Sequence, residues 1–198
     1  MSARLYATAL AVAAIQFIVV VQIAQWLYPN YNVWTNYISD LGNRSLAGPL
    51  ISTLFNASAA ALGVLVMASS YGVGRLTARR AASTALLGLS GLGALGVGLF
   101  PEGSPYGLHT VSALTAFLFG GLAVAALGVY TAVPKALRWL GVAFGAISLA
   151  SLAAYIALGE PPIVERLVVY PILIYAALYG IYVAAKNGAS LGASGGPT

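Results

Sequence analysis

The sequence has no cysteine and few charged residues, and both shortages restrict what the protein can be. Because none of the 198 residues is cysteine, the chain can form neither a disulfide nor a thiolate metal site. Charged residues make up 7% of the chain and hydrophobic residues 60%, whereas a soluble domain carries about 25% charged residues. So few charges cannot cover a surface that faces water. The composition therefore predicts an integral membrane protein.

Six long apolar segments predict the fold. A helix needs about 20 apolar residues to cross a bilayer core of about 30 Å. The sequence has such segments at about residues 5–27, 49–71, 81–100, 108–133, 139–158 and 163–185. The first segment is longer than the apolar region of a cleaved signal peptide, about 7–15 residues. We therefore expect an all-α integral membrane bundle of six transmembrane helices over residues 1–186, followed by a flexible cytoplasmic tail over residues 187–198.

Basic residues are divided unequally between the two ends of this bundle. The loops on the side of the N-terminus carry seven of the nine basic residues and no acid: Arg4, Arg75, Arg79, Arg80, Lys135, Arg138 and Lys186. Positive residues mark the cytoplasmic side of a membrane, so we expect a multi-pass protein of the cell membrane with both termini in the cytoplasm. Because the basic residues lie singly or in pairs at segment ends, they indicate topology and predict no nucleic-acid partner.

The opposite end, expected to face outward, gathers the residues that could perform chemistry. The four acids and the single histidine all fall there: Asp40, Glu102, His109, Glu160 and Glu165. We predict that these residues form a polar pocket for a lipid headgroup or another amphiphile. The ligand-binding candidates are Ser39, Arg44, Ser112, Glu165 and Arg166, and the catalytic candidates are His109, Asp40 and Glu102.

Two other functions remain open at this point. A lipid-modifying, hydrolase-like enzyme would use His109 as its base, Asp40 or Glu102 to orient the imidazole, and a serine as nucleophile. The sequence has no G-x-S-x-G motif to support that assignment. A structural or accessory subunit would use the same side chains for stability alone. The oligomeric state is not indicated.

Neither a metal nor a cofactor is predicted. One histidine without H-x-x-x-H spacing does not favour a metal site, and a transmembrane cytochrome usually needs paired histidines. No charged residue falls clearly at mid-membrane, which argues against an ion-coupled transporter. Small residues at four-residue spacing instead predict close helix packing, and Gln16, Asn56, Ser148 and a tyrosine stripe predict interhelical hydrogen bonds.

Three stretches of the sequence resemble one known family. They are N-Y-I-S-D-L-G-N at residues 36–43, G-L-F-P-E at residues 98–102 and L-H-T-V-S-A at residues 108–113. These stretches are similar to the prokaryotic membrane family catalogued as domain of unknown function 998. The resemblance covers most of the chain except the tail. It implies a small integral membrane protein and no assigned activity, with these family-like positions: Ser39, Asp40, Gly42, Pro101, Glu102 and His109.

Overall fold

Six α-helices make up almost all of the structure. The computed structural model describes residues 3–193, and the side chains of residues 3–186. The helices are α1 (Ala3–Leu27), α2 (Arg44–Gly74), α3 (Arg80–Leu99), α4 (Leu108–Tyr130), α5 (Lys135–Ala157) and α6 (Pro162–Ala193). Short 3-10 turns at Ser39–Gly42 and Pro105–Gly107 precede α2 and α4. No β-strand occurs among the described residues, which confirms the all-α prediction.

All six helices are long and apolar enough to cross a membrane, so the predicted transmembrane bundle is confirmed. Helices are suited to this environment because every backbone polar group inside the bilayer must be satisfied within the segment. Helix α6 continues past the predicted end of its segment, because its backbone stays helical to Ala193. Residues 194–198 of the predicted tail lie outside the described residues.

Helix α2 begins five residues earlier than the segment predicted at residue 49. The side chain of Asn43 accepts a hydrogen bond from the Ser45 amide, 2.9 Å away, and so caps the first turn. The backbone then breaks at Gly48, whose φ of 79° suits glycine. Pro49 follows and restarts the helix, since its missing N–H is not needed in a first turn.

The helices surround a common interior. Helix α1 packs against α2 and α6, α2 packs against α3, and α3 packs against α4. Helices α4 and α6 also contact each other, and α5 packs against both of them. The ring around the interior is therefore closed by α1, α2, α3, α4 and α6, whereas α5 lies outside the contact between α4 and α6.

Small residues set the spacing of the helices, as the sequence predicts. A methyl group added to Gly98 of α3 would lie 2.5 Å from the backbone nitrogen of Ala60 in α2. One added to Gly93, on another face of α3, would lie 2.3 Å from the Ala116 nitrogen in α4. Lipid tails are as apolar as helix surfaces, so membrane helices associate through such close contacts rather than by hydrophobic burial.

Polar side chains inside the bundle also join helices. Gln16 in α1 accepts a hydrogen bond from the Ser58 hydroxyl of α2 at 2.7 Å and donates one to the Ser58 carbonyl at 3.1 Å. The Ser148 hydroxyl of α5 donates to the Val168 carbonyl of α6 at 2.9 Å. The interhelical hydrogen bonds predicted for Gln16 and Ser148 are therefore confirmed, each contributing about 0.6 kcal/mol in a membrane protein. Asn56 instead donates to the Gly42 carbonyl of the 3-10 turn at 3.0 Å, and among the described residues the buried Tyr175 hydroxyl of the tyrosine stripe has no hydrogen-bond partner.

Candidate functional site

The four acidic residues and His109 gather at one end of the bundle. We call this the acidic end, and it consists of the loops at residues 28–43, 100–107 and 158–161 together with the helix ends that they join. The loop at residues 28–43 is the longest of the three. It is bonded to the first turn of α6, so residues far apart in the sequence build one site.

Glu165 holds this loop to helix α6. Its side chain is 5% exposed, and its Oε2 accepts a hydrogen bond of 2.5 Å from the Ile38 backbone amide. Ile38 is the residue immediately before the 3-10 turn at Ser39–Gly42. A buried carboxyl group requires such a partner, because desolvation without hydrogen bonds is costly. Glu165 therefore fixes the position at which the loop turns towards α2.

Arg166 is the next residue of α6 and binds the same loop. It acts as a hydrogen-bond donor, whereas Glu165 acts as an acceptor. Its Nη1 donates to the Asn36 carbonyl at 3.0 Å and to the Pro162 carbonyl at 2.9 Å, and its Nη2 donates to the Tyr31 hydroxyl at 2.5 Å. The guanidinium carbon also lies 5.6 Å from the centre of the Tyr31 ring, within cation–π range. Burial raises the pKa of the Tyr31 hydroxyl above its usual value, an effect that Arg166 partly offsets.

Asp40 forms hydrogen bonds within the loop at residues 28–43. Its Oδ2 accepts hydrogen bonds from the Asn36 side-chain amide at 3.1 Å and from the Tyr37 backbone amide at 3.0 Å. These bonds use the short carboxylate as a local loop cap. Within the described residues no hydrogen bond or ion pair joins Asp40 to His109, so the structure does not bring these two catalytic candidates together.

His109 lies instead beside Glu102. Its Nδ1 is 2.9 Å from the Phe100 carbonyl oxygen, which can only accept a hydrogen bond, so Nδ1 must carry a proton. The other ring nitrogen, Nε2, lies 3.8 Å from Glu102 Oε2. In the neutral ring Nε2 is therefore the free acceptor, and a proton placed on it would make an ion pair with Glu102.

The remaining candidates have separate positions. The Ser112 hydroxyl donates to the Leu108 carbonyl of its own helix at 2.7 Å, and Arg44 is exposed at the start of α2. The Glu160 carbonyl accepts a hydrogen bond of 2.9 Å from the Tyr37 hydroxyl. Burial and the nearby Glu160 carboxylate raise the pKa of Tyr37 above its usual value. Ser39, by contrast, lies at the interior cavity described next.

A narrow cavity of about 110 Å³ extends from the acidic end into the bundle. Five helices line it, and α5 contributes no residue. Its polar lining at the acidic end consists of Ser39, His109 and Glu165, and the lining deeper in the bundle is apolar apart from Ser90. The Ser90 hydroxyl is already engaged, because it donates to the Ala116 carbonyl at 3.2 Å. The cavity is therefore an apolar space with one polar end.

Helix α4 shows how far this cavity reaches. Eight of its residues line the cavity, and six of them follow one another at alternating spacings of four and three: His109, Ala113, Ala116, Gly120, Ala123 and Leu127. This spacing keeps them on one face of the helix. At 1.5 Å per residue, the distance from the first to the last is about 27 Å, which is close to the thickness of a bilayer core of about 30 Å.

The arrangement does not resemble a metal site. Among the side chains that the structure describes, no three from histidine, cysteine, aspartate or glutamate gather closely enough to hold an ion. The polar groups at the acidic end of the cavity are one hydroxyl, one imidazole and one carboxyl group. Such groups can exchange hydrogen bonds with a polar head group, and the imidazole can accept a proton.

Six membrane-crossing helices, five of which line an apolar cavity, define a multi-pass, all-helical membrane protein. The chain belongs to the family described as "Protein of unknown function (DUF998)", whose family model matches residues 11–182. This match confirms the resemblance that the three sequence stretches indicate. No curated protein and no solved structure matches the chain.

Several residues of the acidic end give no functional signal in the sequence. Tyr31 and Asn36 bind Arg166, and the Ile38 amide binds Glu165. Residues 36 and 38 belong to a family-like stretch, but nothing in the sequence indicates these contacts with α6. The sequence does not predict the cavity either, because the cavity depends on the sizes of side chains from five helices. The only available signal is the run of small residues on α4 at positions that share one face.

Proposed function

We propose that this protein binds an amphiphile at the acidic end, with the polar head against Ser39, His109 and Glu165 and the apolar part in the cavity. The observation that supports this proposal is that a loop, α4 and α6 each place one polar side chain at the same end of an otherwise apolar cavity. Ligand sites typically combine an apolar lining with a few polar groups that fix orientation.

The proposal divides the polar residues of the acidic end into two groups. Asp40 and Arg166 act as positioning residues, because their hydrogen bonds go to the loop at residues 28–43. Glu102 acts on the ligand through His109, since its Oε2 lies 3.8 Å from Nε2. Arg44 is exposed and Ser112 bonds within its own helix, so we give neither a place in the binding site.

A lipid hydrolase is the second candidate function. The Phe100 carbonyl orients the His109 ring so that Nε2 is left as a possible base, which is how catalytic imidazoles are commonly held. Ser39 lines the same cavity and would be the candidate nucleophile. Release of fatty acid from a lipid ester, lost in both His109→Ala and Ser39→Ala, would favour this function over binding alone.

The proposed site faces the outside of the cell in our assignment. Seven of the nine basic residues lie at the end opposite to the acidic end, and positive residues mark the cytoplasmic side. We therefore infer a protein of the cell membrane with both termini in the cytoplasm. The cavity would then receive its ligand from the outer leaflet.

The mass of the gently extracted protein, measured without removing lipid, tests the binding proposal. We expect a bound amphiphile on the unmodified chain that is lost in His109→Ala. Thr110→Ala is the matched control, because Thr110 is the exposed neighbour of His109 on the same helix, and it should keep the adduct. A bare chain that also takes up no added lipid would contradict the proposal.

A further inference from the structure

We propose that the end of the bundle opposite to the acidic end binds the phosphate head of an anionic phospholipid from the surrounding membrane. This inference goes beyond the proposed function, because it concerns a second site that shares no lining residue with the cavity. The site is an open groove where α2 ends and α3 begins, and we call it the basic groove. Its lining residues are Tyr71, Arg75, Arg80, Ala81, Thr84 and Ala85.

The two arginines of the basic groove are charged groups without an anionic partner. Both side chains are exposed, and within the described part of the chain neither Arg75 nor Arg80 forms an ion pair or a side-chain hydrogen bond. All four acidic residues of the chain lie at the other end of the bundle. Because the guanidinium fork matches the oxygen atoms of a phosphate, the groove is complementary to an anionic head group.

The Tyr71 ring helps to place one of these arginines. The guanidinium carbon of Arg75 lies 5.6 Å from the centre of that ring, within cation–π range. Such a contact limits the movement of the side chain without requiring a hydrogen bond, so its N–H groups remain available to a phosphate. With Arg75 over the ring and no carboxylate nearby, the groove has no partner for the ammonium group of a zwitterionic lipid. It therefore favours a lipid with net negative charge.

The turn between the two arginines is fixed by hydrogen bonds. The Thr77 side chain is buried, and its hydroxyl donates to the Gly74 carbonyl at 2.9 Å. The next residue, Ala78, donates its backbone N–H to the Tyr130 carbonyl at the end of α4, 2.8 Å away. The backbone that carries the arginines is thus held before a ligand binds, which lowers the cost of ordering the site.

The position of the basic groove favours a lipid over a phosphate dissolved in water. Its walls belong to α2 and α3, which are both long and apolar enough to cross a membrane. Tyr71 is 58% exposed, as is typical of tyrosine at a membrane–water interface. Ala81 and Ala85 are exposed on one face of α3, and Ala85 lies about 7.5 Å along the helix from Arg80. These small side chains leave room for an acyl chain below the phosphate.

The choice between two phospholipids tests the head group. Full-length protein in detergent is titrated with phosphatidylglycerol or with phosphatidylcholine of the same acyl chains, and bound lipid is counted by native mass spectrometry. We expect the first phosphatidylglycerol to bind at least about fivefold more tightly, roughly the contribution of one basic residue near an anionic membrane surface. Equal binding of the two lipids would overturn the assignment. Displacement of phosphatidylglycerol by an equal concentration of glycerophosphate would also overturn it, because the groove would then select free phosphate.

Two double variants test whether the basic groove itself is the site. Arg75→Gln combined with Arg80→Gln should abolish the preference for phosphatidylglycerol. Lys135→Gln combined with Arg138→Gln is the matched control, because it removes the same charge from exposed residues of the same end that do not line the groove. The control should keep the preference. Equal losses in both would show diffuse attraction to a basic surface and would contradict a defined site.

A substitution that leaves the charge unchanged tests the shape of the basic groove. Ala85→Phe fills it and should weaken phosphatidylglycerol binding by at least about fivefold, the lower end of what overpacking costs. Ala82→Phe, on an exposed residue of α3 outside the groove, should not. His109→Ala, at the acidic end, should not either, so this inference and the proposed function can fail separately. Loss of binding in Ala82→Phe or in His109→Ala would place the lipid elsewhere.

Discussion

The backbone amide of Ile38 donates a hydrogen bond to the Glu165 carboxylate, although 127 positions separate the two residues in the sequence. Arg166 binds the same loop through the Asn36 carbonyl. Two consecutive residues of α6 therefore satisfy one backbone donor and one backbone acceptor of the loop at residues 28–43. Buried backbone groups need such partners, so this pair explains why a long polar loop can pack against the bundle.

Replacing Glu165 separates its role as a hydrogen-bond acceptor from its role as a charge. Glu165→Ala leaves the buried Ile38 amide without its partner, which costs about 1–3 kcal/mol. Glu165→Gln keeps an accepting oxygen and should stay closer to the unmodified protein. We expect a lower Tm for the alanine variant and faster hydrogen exchange at the Ile38 amide. Unchanged exchange at that amide would show that the bond does not hold the loop.

Arg166 should not tolerate replacement by lysine. The guanidinium donates to two backbone carbonyls and to the Tyr31 hydroxyl, and it lies against the Tyr31 ring. An ammonium group has no planar fork with which to reproduce these contacts. We expect Arg166→Lys to lower the free energy of unfolding by about 1–3 kcal/mol, measured by thermal unfolding in detergent.

Arg44→Lys is the control for this substitution, since Arg44 is exposed at the same end of the bundle. It should leave the Tm unchanged. A double-mutant cycle with Tyr31→Phe measures the contact directly, because residues in contact show coupling of about 0.5–3 kcal/mol. Additive effects of Arg166→Lys and Tyr31→Phe would argue that the ring and its hydroxyl contribute little to holding Arg166.

The sequence predicts the bundle well but predicts the pairing at the acidic end poorly. Hydropathy identifies the six helices because a membrane span must satisfy its own backbone. Loop charges also identify the end at which the acids gather. Loop charges do not show that Asp40 forms hydrogen bonds within its own loop, or that His109 lies beside Glu102. These contacts depend on how the loop at residues 28–43 folds back on α6.

Two glycines that look alike in the sequence should respond differently to alanine. A methyl group on Gly63 would lie 2.2 Å from the Leu95 backbone nitrogen, whereas one on Gly88 would come no closer than 3.9 Å to Ser70 Oγ. Gly63→Ala must push α2 and α3 apart, at a cost of about 1–3 kcal/mol. Gly88→Ala should be neutral or stabilising by up to about 1 kcal/mol. Equal Tm values for the two variants would contradict the close packing of α2 and α3.

Alkaline pH should loosen the loop through Tyr31. Burial raises the pKa of its hydroxyl above the usual value, so between about pH 9 and about pH 11 the unfolded chain loses this proton before the folded chain does. Stability contributed by the neutral hydroxyl is therefore complete below the usual pKa and declines as the pH rises. We expect a smaller decline in Tyr31→Phe. Tyr106→Phe, on an exposed side chain, is the control and should decline as the unmodified protein does.

The absence of cysteine makes the proposed orientation directly testable. A single introduced cysteine is the only reactive thiol in the chain, so labelling reports one position. Ser45→Cys places it on an exposed residue of the acidic end, and Ala136→Cys on an exposed residue of the opposite end. We expect a membrane-impermeant maleimide to label Ser45→Cys in intact cells and Ala136→Cys only after permeabilisation, because positive residues stay in the cytoplasm. The reverse result would invert the topology, and the cavity would then take its ligand from the cytoplasmic leaflet.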